Sequence, residues 1–305
     1  MHATDYLLID GTNLAFRCFY GVKYLSNAGT LPTNAIYGFV NTLWSLEQWI
    51  QYSHLWVFFD CSRSLRRTQL LPSYKANRTA TPEVFKQQLP FIKQLIPHLG
   101  GYVLEKMDVE ADDLLGALAQ KISQNNGKAI IVSADKDLMQ CVNERVHQLI
   151  PTQQGWQLLD AKGVYEKMGI WPKQIVDYLA LMGDTVDNFE GIHGVGPKTA
   201  TRWLQKYASI DTIFSNIDHI TPERLRDRLA QEKHTLDRNR RLAQLDCPED
   251  LIDNVDIFNA KQIQPNPAEL IRVFNELNLT ALIKRTRERY RVNQTFQNSQ
   301  TEFQF

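Results

Sequence analysis

The sequence has little cysteine, no long hydrophobic run and no excess of either charge, and each absence excludes a class of protein. Only four of its 305 residues are cysteines, and no two of them form a CxxC pair. A disulfide framework and a zinc site are therefore not expected. The expected location is a reducing compartment, the cytoplasm. No stretch approaches eighteen apolar residues, and the N-terminus has no basic region typical of a signal peptide, so no membrane association is expected.

The balance of charge gives no information about partners. Lysine and arginine together number 34, as do aspartate and glutamate. Only the segregation of charge along the chain can indicate a partner. The length is sufficient for one large domain or two modest ones.

Acidic residues are concentrated on either side of one α/β unit, which consists of a helix pattern ending near Gly127 and the short apolar run Ala129–Val132. They are Glu110, Asp112, Asp113, Asp135 and Asp137. The first three lie in the opening turn of the helix, where the helix dipole favours carboxylates. The other two follow a predicted buried strand. The first trio alone is also consistent with an ordinary acidic helix start.

Three predicted strands end beside an aspartate: Tyr6–Ile9 before Asp10, Leu55–Phe59 before Asp60, and Ala129–Val132 before Asp135. Because the carboxyl ends of parallel strands meet at one sheet edge, these acids should converge there. Two carboxylates about 5 Å apart repel by roughly 3 kcal/mol at an effective dielectric constant of about 20. A cluster of several therefore predicts a divalent metal.

The fold class that these patterns predict is α/β, with parallel strands. Val146–Ile150 is a further predicted strand, and Pro151–Gly155 is predicted to be a turn. Helical periodicity runs through Thr33–Tyr52 and Phe85–Leu99, and from Pro172 onward the chain is predicted to be helical.

A basic segment runs from Cys61 to Thr81 and contains no acidic residue. Its cations are Arg63, Arg66, Arg67, Lys75 and Arg78, and Tyr74 lies among them. Cations with an interleaved aromatic suit single-stranded nucleic acid, whose phosphates attract charge and whose bases stack. With few apolar residues, the segment is expected to find little to pack against. A solvated loop is the alternative.

A glycine-rich stretch in the second half of the chain contains Gly191, Gly194 and Gly196, followed by Pro197, Lys198 and Thr199. Glycines allow close approach of a phosphate, and a proline at the first helical position would leave free N–H groups facing it. The pattern indicates a helix-hairpin-helix element, with a plain helix end and turn as the alternative. Asp184 and Asp187 add two acids just before it.

The whole set of motifs resembles the 5′ nuclease family, which includes flap endonucleases and the N-terminal domain of bacterial DNA polymerase I. The motifs are Asp10-Gly11, Phe59-Asp60, Tyr74 to Arg78, Glu110 to Asp113, Asp135 to Asp137, Gly183 to Asn188 and Gly194 to Ala200. The resemblance implies a PIN-like nuclease core at 1–170, with a central, mostly parallel, twisted sheet flanked by helices and a helical arch at 62–90. It also implies a helical DNA-binding region at 171–290, with a helix-three-turn-helix element at 172–207. The resemblance ends there, and the polar composition of residues 291–305 predicts a flexible tail.

By position, the resemblance implies two Mg²⁺ or Mn²⁺ ions, one near Asp10, Asp60, Glu110, Asp112 and Asp113 and the other near Asp135, Asp137, Asp184 and Asp187. Lys75 and Arg78 would stabilise charge at the scissile phosphate, Arg17 would also contact phosphate as a catalytic-site residue, and Tyr74 would stack on a base. A K⁺ ion at the glycine-rich loop is a further expectation.

The function that follows is a 5′-3′ exonuclease and flap endonuclease acting on DNA with a 5′ flap, a nick or a single-stranded 5′ end, and on RNA primers. The alternatives are a non-catalytic DNA-junction-binding module and a PIN-type ribonuclease. The final residues, Gln300–Phe305, resemble short peptides that bind a bacterial sliding clamp.

Overall fold

The computed structural model describes residues 2–23, 25–27, 31–246, 252 and 258–292. The strands are β1 His2–Ala3, β2 Tyr6–Asp10, β3 Ser26–Asn27, β4 Leu31–Pro32, β5 Ile50–Gln51, β6 His54–Phe58, β7 Gly101–Leu104, β8 Ala129–Val132, β9 Val146–Thr152, β10 Gly155–Leu159, β11 Gly183–Asp184 and β12 Phe189–Glu190.

The α-helices are α1 Gly11–Gly21, α2 Asn34–Leu46, α3 Leu65–Leu70, α4 Glu83–Lys86, α5 Leu89–His98, α6 Ala111–Gln124, α7 Ala161–Met168, α8 Ile175–Met182, α9 Pro197–Tyr207, α10 Ile210–Ser215, α11 Glu223–Gln231, α12 Lys233–Ala243, α13 Pro267–Glu276 and α14 Thr280–Tyr290. Short 3₁₀ turns cover Asp137–Cys141, Pro172–Gln174 and Ile217–His219. Within the described ranges, no helix is both long and apolar enough to cross a membrane.

A six-stranded sheet forms the centre of the fold, in the order β10-β9-β8-β2-β6-β7. All neighbouring strands are parallel except β10, which pairs antiparallel with β9. This confirms the predicted α/β class with a mostly parallel sheet. The central position of β2 matters most for the site, because β6 and β8 lie directly on either side of it.

Both faces of the sheet are covered, which explains why β2 is apolar along nearly its whole length. Leu7 and Ile9 point into a core shared with α1, α2, α5, α13 and α14, whereas Tyr6 and Leu8 point into a core shared with α6. A strand buried on both faces does not show alternating hydrophobicity. A third core joins α7 to α12, and it includes Tyr74.

The sequence prediction misses two strands of the sheet. The pattern predicts no strand at Gly101–Leu104, and it predicts a turn at Pro151–Gly155 with no strand after it. In the structure, β7 is an edge strand that begins at a glycine, and β10 returns along β9 through a two-residue turn, Gln153-Gln154. Neither the glycine nor the two glutamines is a typical strand or hairpin signal, so the pattern conceals both strands.

Two predicted helices are shorter than expected. Thr33–Tyr52 is helical only over Asn34–Leu46, because the chain then turns to form β5. Phe85–Leu99 is divided into α4 and α5 at Gln88, whose buried side chain accepts the N–H of Ala35 at 2.8 Å. The helix is therefore interrupted at the residue that makes this tertiary contact.

Candidate active site

Three aspartates lie at the carboxyl edge of the sheet because the strands leading to them are neighbours. Strand β2 ends at Asp10, and the flanking strands β6 and β8 lead to Asp60 and Asp135. Asp10 is buried and caps α1, since its Oδ1 accepts the N–H of Asn13 at 2.9 Å. Asp60 Oδ1 accepts the N–H of Ala111 at 2.9 Å, which joins it to the start of α6. The topology thus brings the three strand ends together, as their positions predict.

Burial and mutual repulsion raise the pKa values of several of these carboxyl groups. Burial raises the pKa of Asp10 to about 7, and the charges of Asp60 and Asp135 act in the same direction. Burial, with the charges of Asp10 and Asp135, raises the pKa of Asp112 well above its usual range. Burial, followed by the charge of Asp135, likewise raises the pKa of Asp137 well above its usual range. Uncompensated negative charge therefore remains among these acids, and a bound cation would balance it.

The turn after β8 presents the second group of acids. Asp135 Oδ1 accepts the N–H of Asp137 at 2.9 Å, and Lys136 Nζ donates to Asp184 Oδ2 at 2.5 Å. Asp184 also accepts the N–H of Val186 at 2.7 Å, which fixes the loop that leads to Asp187. Residues about fifty positions apart in sequence thus become neighbours.

The chemistry of these residues fits a divalent metal. All the candidate ligands supply oxygen, which Mg²⁺ and Mn²⁺ prefer. Asp137 Oδ1 is buried and has no hydrogen-bond partner in the described part of the chain, so an ion would satisfy it. Nevertheless, among the described residues no group of three Asp, Glu, His or Cys side chains is arranged to hold a metal ion. The identity of the individual ligands stays a prediction.

Two cations of the basic segment lie directly on the acids. Lys75 Nζ donates to Glu110 Oε1 at 2.8 Å and lies 3.8 Å from Asp187 Oδ1. Arg78 Nη2 donates to Asp187 Oδ1 at 2.9 Å and remains half exposed. Positive side chains therefore reach the edge of the sheet where a phosphate would have to lie.

Tyr74 does not occupy the place that the sequence suggests. Its side chain is only 1% exposed, and its hydroxyl donates to Asp187 Oδ2 at 2.8 Å and lies 3.2 Å from Glu110 Oε2. The predicted stacking on a base is wrong for this arrangement, because the ring is enclosed in the core shared with α7 to α12. Leu70 and Leu71 pack against the same core, so the segment has more apolar partners than expected.

The three arginines at the start of the segment have different environments. Arg63 is exposed, as predicted for a DNA contact. Arg66 donates to the carbonyls of Arg241 and Gln244 at 2.9 and 2.8 Å. Arg67 is 2% exposed and cannot reach DNA, so its prediction as a DNA contact is wrong.

Asp113 also differs from its prediction as a metal ligand. Arg67 donates to both of its oxygens, at 2.5 and 2.7 Å, and the N–H of Asp246 donates to Oδ1 at 2.7 Å. A carboxylate whose two oxygens are held by an arginine in the interior already has its counter-ion. Asp113 therefore belongs to an ion pair and not to the group of candidate ligands.

The glycine-rich loop lies between α8 and α9, and α9 begins at Pro197 with Gly196 at its N-cap. A Cβ atom on Gly183 would lie 2.3 Å from the backbone nitrogen of Gly191, so the two backbone segments approach each other too closely there to admit a side chain. Gly194 has φ +87°, a conformation that favours glycine. The loop thus needs glycine at 183, 191 and 194 for its own geometry.

The side chains around this loop are open to a ligand. Lys198 is exposed and Thr199 is half-buried, at the start of α9, while a Cβ on Gly196 would meet nothing within 4 Å. Arg228, one of several basic residues in the helical second half of the sequence, donates to the carbonyl of His193 at 2.7 Å and supports the loop. Arg17 lies apart from it, on the exposed face of α1 beside a cleft lined by Asn41 and Trp156.

Two polar residues beneath the acids were missed in the sequence. Ser133 Oγ donates to Asp10 Oδ2 at 2.9 Å and accepts the N–H of Asp135 at 3.1 Å. Gln148 is fully buried, and its Nε2 donates to the carbonyls of Ser133 and Asp135 at 2.9 and 2.7 Å. A serine at the end of a strand and a glutamine inside the apolar run of β9 are the signals that could have revealed them.

The predicted clamp-binding peptide, Gln300–Phe305, lies outside the described residues.

Comparison with protein families gives two adjacent matches. Residues 5–169 match the model described as 5′-3′ exonuclease, N-terminal resolvase-like domain, and residues 170–266 match 5′-3′ exonuclease, C-terminal SAM fold. A 5′-3′ exonuclease of Aquifex aeolicus is 36% identical, over 91% of this chain and 93% of its own length.

DNA polymerases are also similar over part of their length. The thermostable DNA polymerase I of Thermus thermophilus is 38% identical over 73% of this chain, and the chain spans only 26% of that protein. DNA polymerase I of Mycobacterium tuberculosis is 35% identical over 90% of this chain and 31% of its own length.

Solved structures show the same fold at lower sequence identity. T5 5′-exonuclease with bound zinc has a TM-score of 0.66 at 24% identity, covering 79% of this chain and 90% of that chain. The catalytic core of Rad2 in complex with DNA substrate has a TM-score of 0.61 at 13% identity, covering 94% of this chain and 91% of that chain.

Proposed function

Because the chain belongs to the 5′-3′ exonuclease family, we propose that it hydrolyses phosphodiester bonds near the 5′ ends of branched or nicked DNA. Its substrates are 5′ flaps, nicks, single-stranded 5′ ends and RNA primers, and it acts both as an exonuclease and as a flap endonuclease. The observation that carries the proposal is the buried acidic edge of the sheet with Lys75 and Arg78 lying against it. DNA bound by neighbours of the same fold supports it.

The acids on the sheet edge would hold two Mg²⁺ or Mn²⁺ ions. The proposed ligands of one ion are Asp10, Asp60, Glu110 and Asp112, and those of the other are Asp135, Asp137, Asp184 and Asp187. When bound, such ions lower the pKa of water and stabilise the charge of the attacking and leaving oxygens. Structures of T5 5′-exonuclease determined with metal ions support metal dependence.

The remaining residues would position the DNA. Lys75 and Arg78 would place positive charge beside the scissile phosphate, where charge grows in the transition state. Arg17 and Arg63, both exposed, would contact phosphates of the strand that enters the site. Duplex DNA would lie on the glycine-rich loop, where Lys198 and the free N–H groups at the start of α9 face a phosphate. A K⁺ ion at this loop would add to the attraction.

The test is cleavage of a 5′-labelled flap by the full chain with Mg²⁺, followed by chelation with EDTA. We expect short labelled products that stop appearing when the chelator is added. Asp184→Asn is the matched control, because asparagine has the same shape without the charge. Flap binding without cleavage by the parent protein would instead indicate a non-catalytic junction-binding module, and cleavage of single-stranded RNA alone would indicate a ribonuclease.

The tail and the cellular setting are proposals from sequence alone. A peptide covering 293–305 should bind the sliding clamp of the same organism with a Kd of about a micromolar. Replacing Phe303 and Phe305 with alanine should abolish binding. A tethered clamp would raise the local concentration of nuclease at DNA junctions. Four cysteines that are far apart in sequence, with no CxxC pair, suit the cytoplasm as the compartment.

A further inference from the structure

The side chain of Arg67 uses nearly every donor of its guanidinium inside the protein. Nε donates to the carbonyl of Leu242 at 2.9 Å, and Nη1 donates to Glu110 Oε2 at 2.9 Å. Both terminal nitrogens donate to Asp113, and Nη2 also donates to the carbonyl of Gln244 at 3.2 Å. A buried arginine with this many partners is fixed in position, since any rotation would leave charge unpaired.

These contacts determine which way Glu110 points. Its Oε2 receives Arg67 at 2.9 Å and the hydroxyl of Tyr74 at 3.2 Å, whereas its Oε1 receives the ammonium group of Lys75 at 2.8 Å. Arg67 and Tyr74 therefore hold one oxygen in the interior, and the other lies beside Lys75, whose ammonium group is also 3.8 Å from Asp187 Oδ1. A carboxylate constrained in this way does not have to lose rotational freedom when it binds an ion.

We propose that Arg67 is a positioning residue that holds the carboxylate of Glu110 in the orientation needed for metal binding. This rests on the proposed metal-dependent function. Asp113 supplies the counter-charge that keeps Arg67 in place, and the carbonyls of Leu242 and Gln244 attach the pair to the end of α12. The guanidinium of Arg67, on α3, thereby joins the start of α6 to the end of α12.

Arg66 provides the matched control. It is adjacent in sequence and donates to the same stretch of backbone, at Arg241 and Gln244, and it pairs with Asp246 at 3.2 Å. Within the part of the chain that the structure describes, Arg66 forms neither a hydrogen bond nor an ion pair with Glu110 or Asp113. If the link to the end of α12 were all that mattered, Arg66→Gln and Arg67→Gln would have similar effects.

The experiment measures Mn²⁺ binding to the full chain without DNA, by electron paramagnetic resonance, and flap binding in Ca²⁺. Arg67→Gln should weaken Mn²⁺ binding roughly 10- to 100-fold, as outer partners of metal ligands commonly do. Flap affinity should change by no more than about threefold, because Arg67 does not reach the surface. Arg66→Gln should change Mn²⁺ affinity by less than about twofold.

A second pair of variants keeps the test valid if Arg67→Gln fails to fold. Arg67→Lys retains the charge and should lose less Mn²⁺ affinity than the glutamine variant. In a Glu110→Gln background, replacing Arg67 should cause no further loss, because the effect acts through Glu110.

Unchanged Mn²⁺ binding in a folded Arg67 variant would overturn the proposal, as would a loss of flap binding larger than the loss of metal. The proposal would also be overturned if the losses of Mn²⁺ affinity from Glu110→Gln and from replacing Arg67 were additive in the double variant. The parent protein separates these results from a failure of the proposed function. If the parent neither binds Mn²⁺ nor cuts a flap, the function is wrong; if it does both and Arg67 has no effect, only this inference is wrong.

Discussion

Replacing Ser133 with alanine should shift the pH dependence of catalysis. The hydroxyl of Ser133 donates to Asp10 Oδ2 at 2.9 Å, and this contact lowers the pKa of Asp10, which burial has raised to about 7. A hydrogen bond to a charged group contributes about 1.5–3 kcal/mol. One pKa unit corresponds to about 1.4 kcal/mol. The pKa of Asp10 in Ser133→Ala should therefore rise by about one to two units.

The assay is single-turnover cleavage of a 5′ flap with Mg²⁺ across a range of pH. Because Asp10 must be ionised to bind an ion, the rising limb of the profile should move to higher pH in Ser133→Ala. Ser133→Thr, which keeps the hydroxyl, should retain the parent profile. Alanine also leaves the N–H of Asp135 without its acceptor, so thermal unfolding is measured in parallel. A profile that falls in amplitude without moving along the pH axis would refute the reasoning.

Three further predictions address the other residues. Asp135→Asn or Asp184→Asn should leave flap binding nearly intact and lower cleavage by several powers of ten; cleavage within about tenfold of the parent at saturating Mg²⁺ would contradict their role as ligands. Lys75→Ala and Arg78→Ala should slow single-turnover cleavage more than they weaken binding, and equal losses would make them ordinary phosphate anchors. In EDTA, the free energy of unfolding should fall as pH rises from about 4 to 7, because folded Asp10 retains a proton that the unfolded chain releases. Denaturation at about pH 5 and pH 8 checks this, and a more stable protein at pH 8 would count against it.

The acids on the sheet were predictable because their positions follow from local patterns. An apolar run that stops at Asp10 indicates a strand end, and parallel neighbours bring strand ends together whatever the loops between them do. The start of α9 was predictable for a similar reason, since Pro197 suits the first turn of a helix. Each inference needed only a few adjacent residues.

The environment of Arg67 and Tyr74 was not predictable in this way. Their partners, Asp113 and Asp187, lie 46 and 113 positions further along the chain, and only the folded structure brings them together. Sequence alone predicts that a basic residue in a basic segment is exposed, because a charged side chain is rarely buried without an acidic partner, and that partner is not visible in the local sequence. Gln148 was missed for the same reason: its carbonyl partners at Ser133 and Asp135 belong to another strand end.

The loop between α8 and α9 is tied to the basic segment by backbone as well as by charge. The N–H of Lys75 donates to the carbonyl of Asp187 at 3.0 Å, Asn77 donates to the carbonyl of Thr185 at 2.7 Å, and Asn188 donates to the carbonyl of Ser73 at 2.6 Å. A ligand that shifts this loop would therefore also shift the backbone of Lys75 and the side chain of Asn77. Binding of a duplex at the loop would then change the position of Lys75. A single strand that entered the site without a duplex would leave Lys75 where it is, and this difference would favour cleavage at junctions.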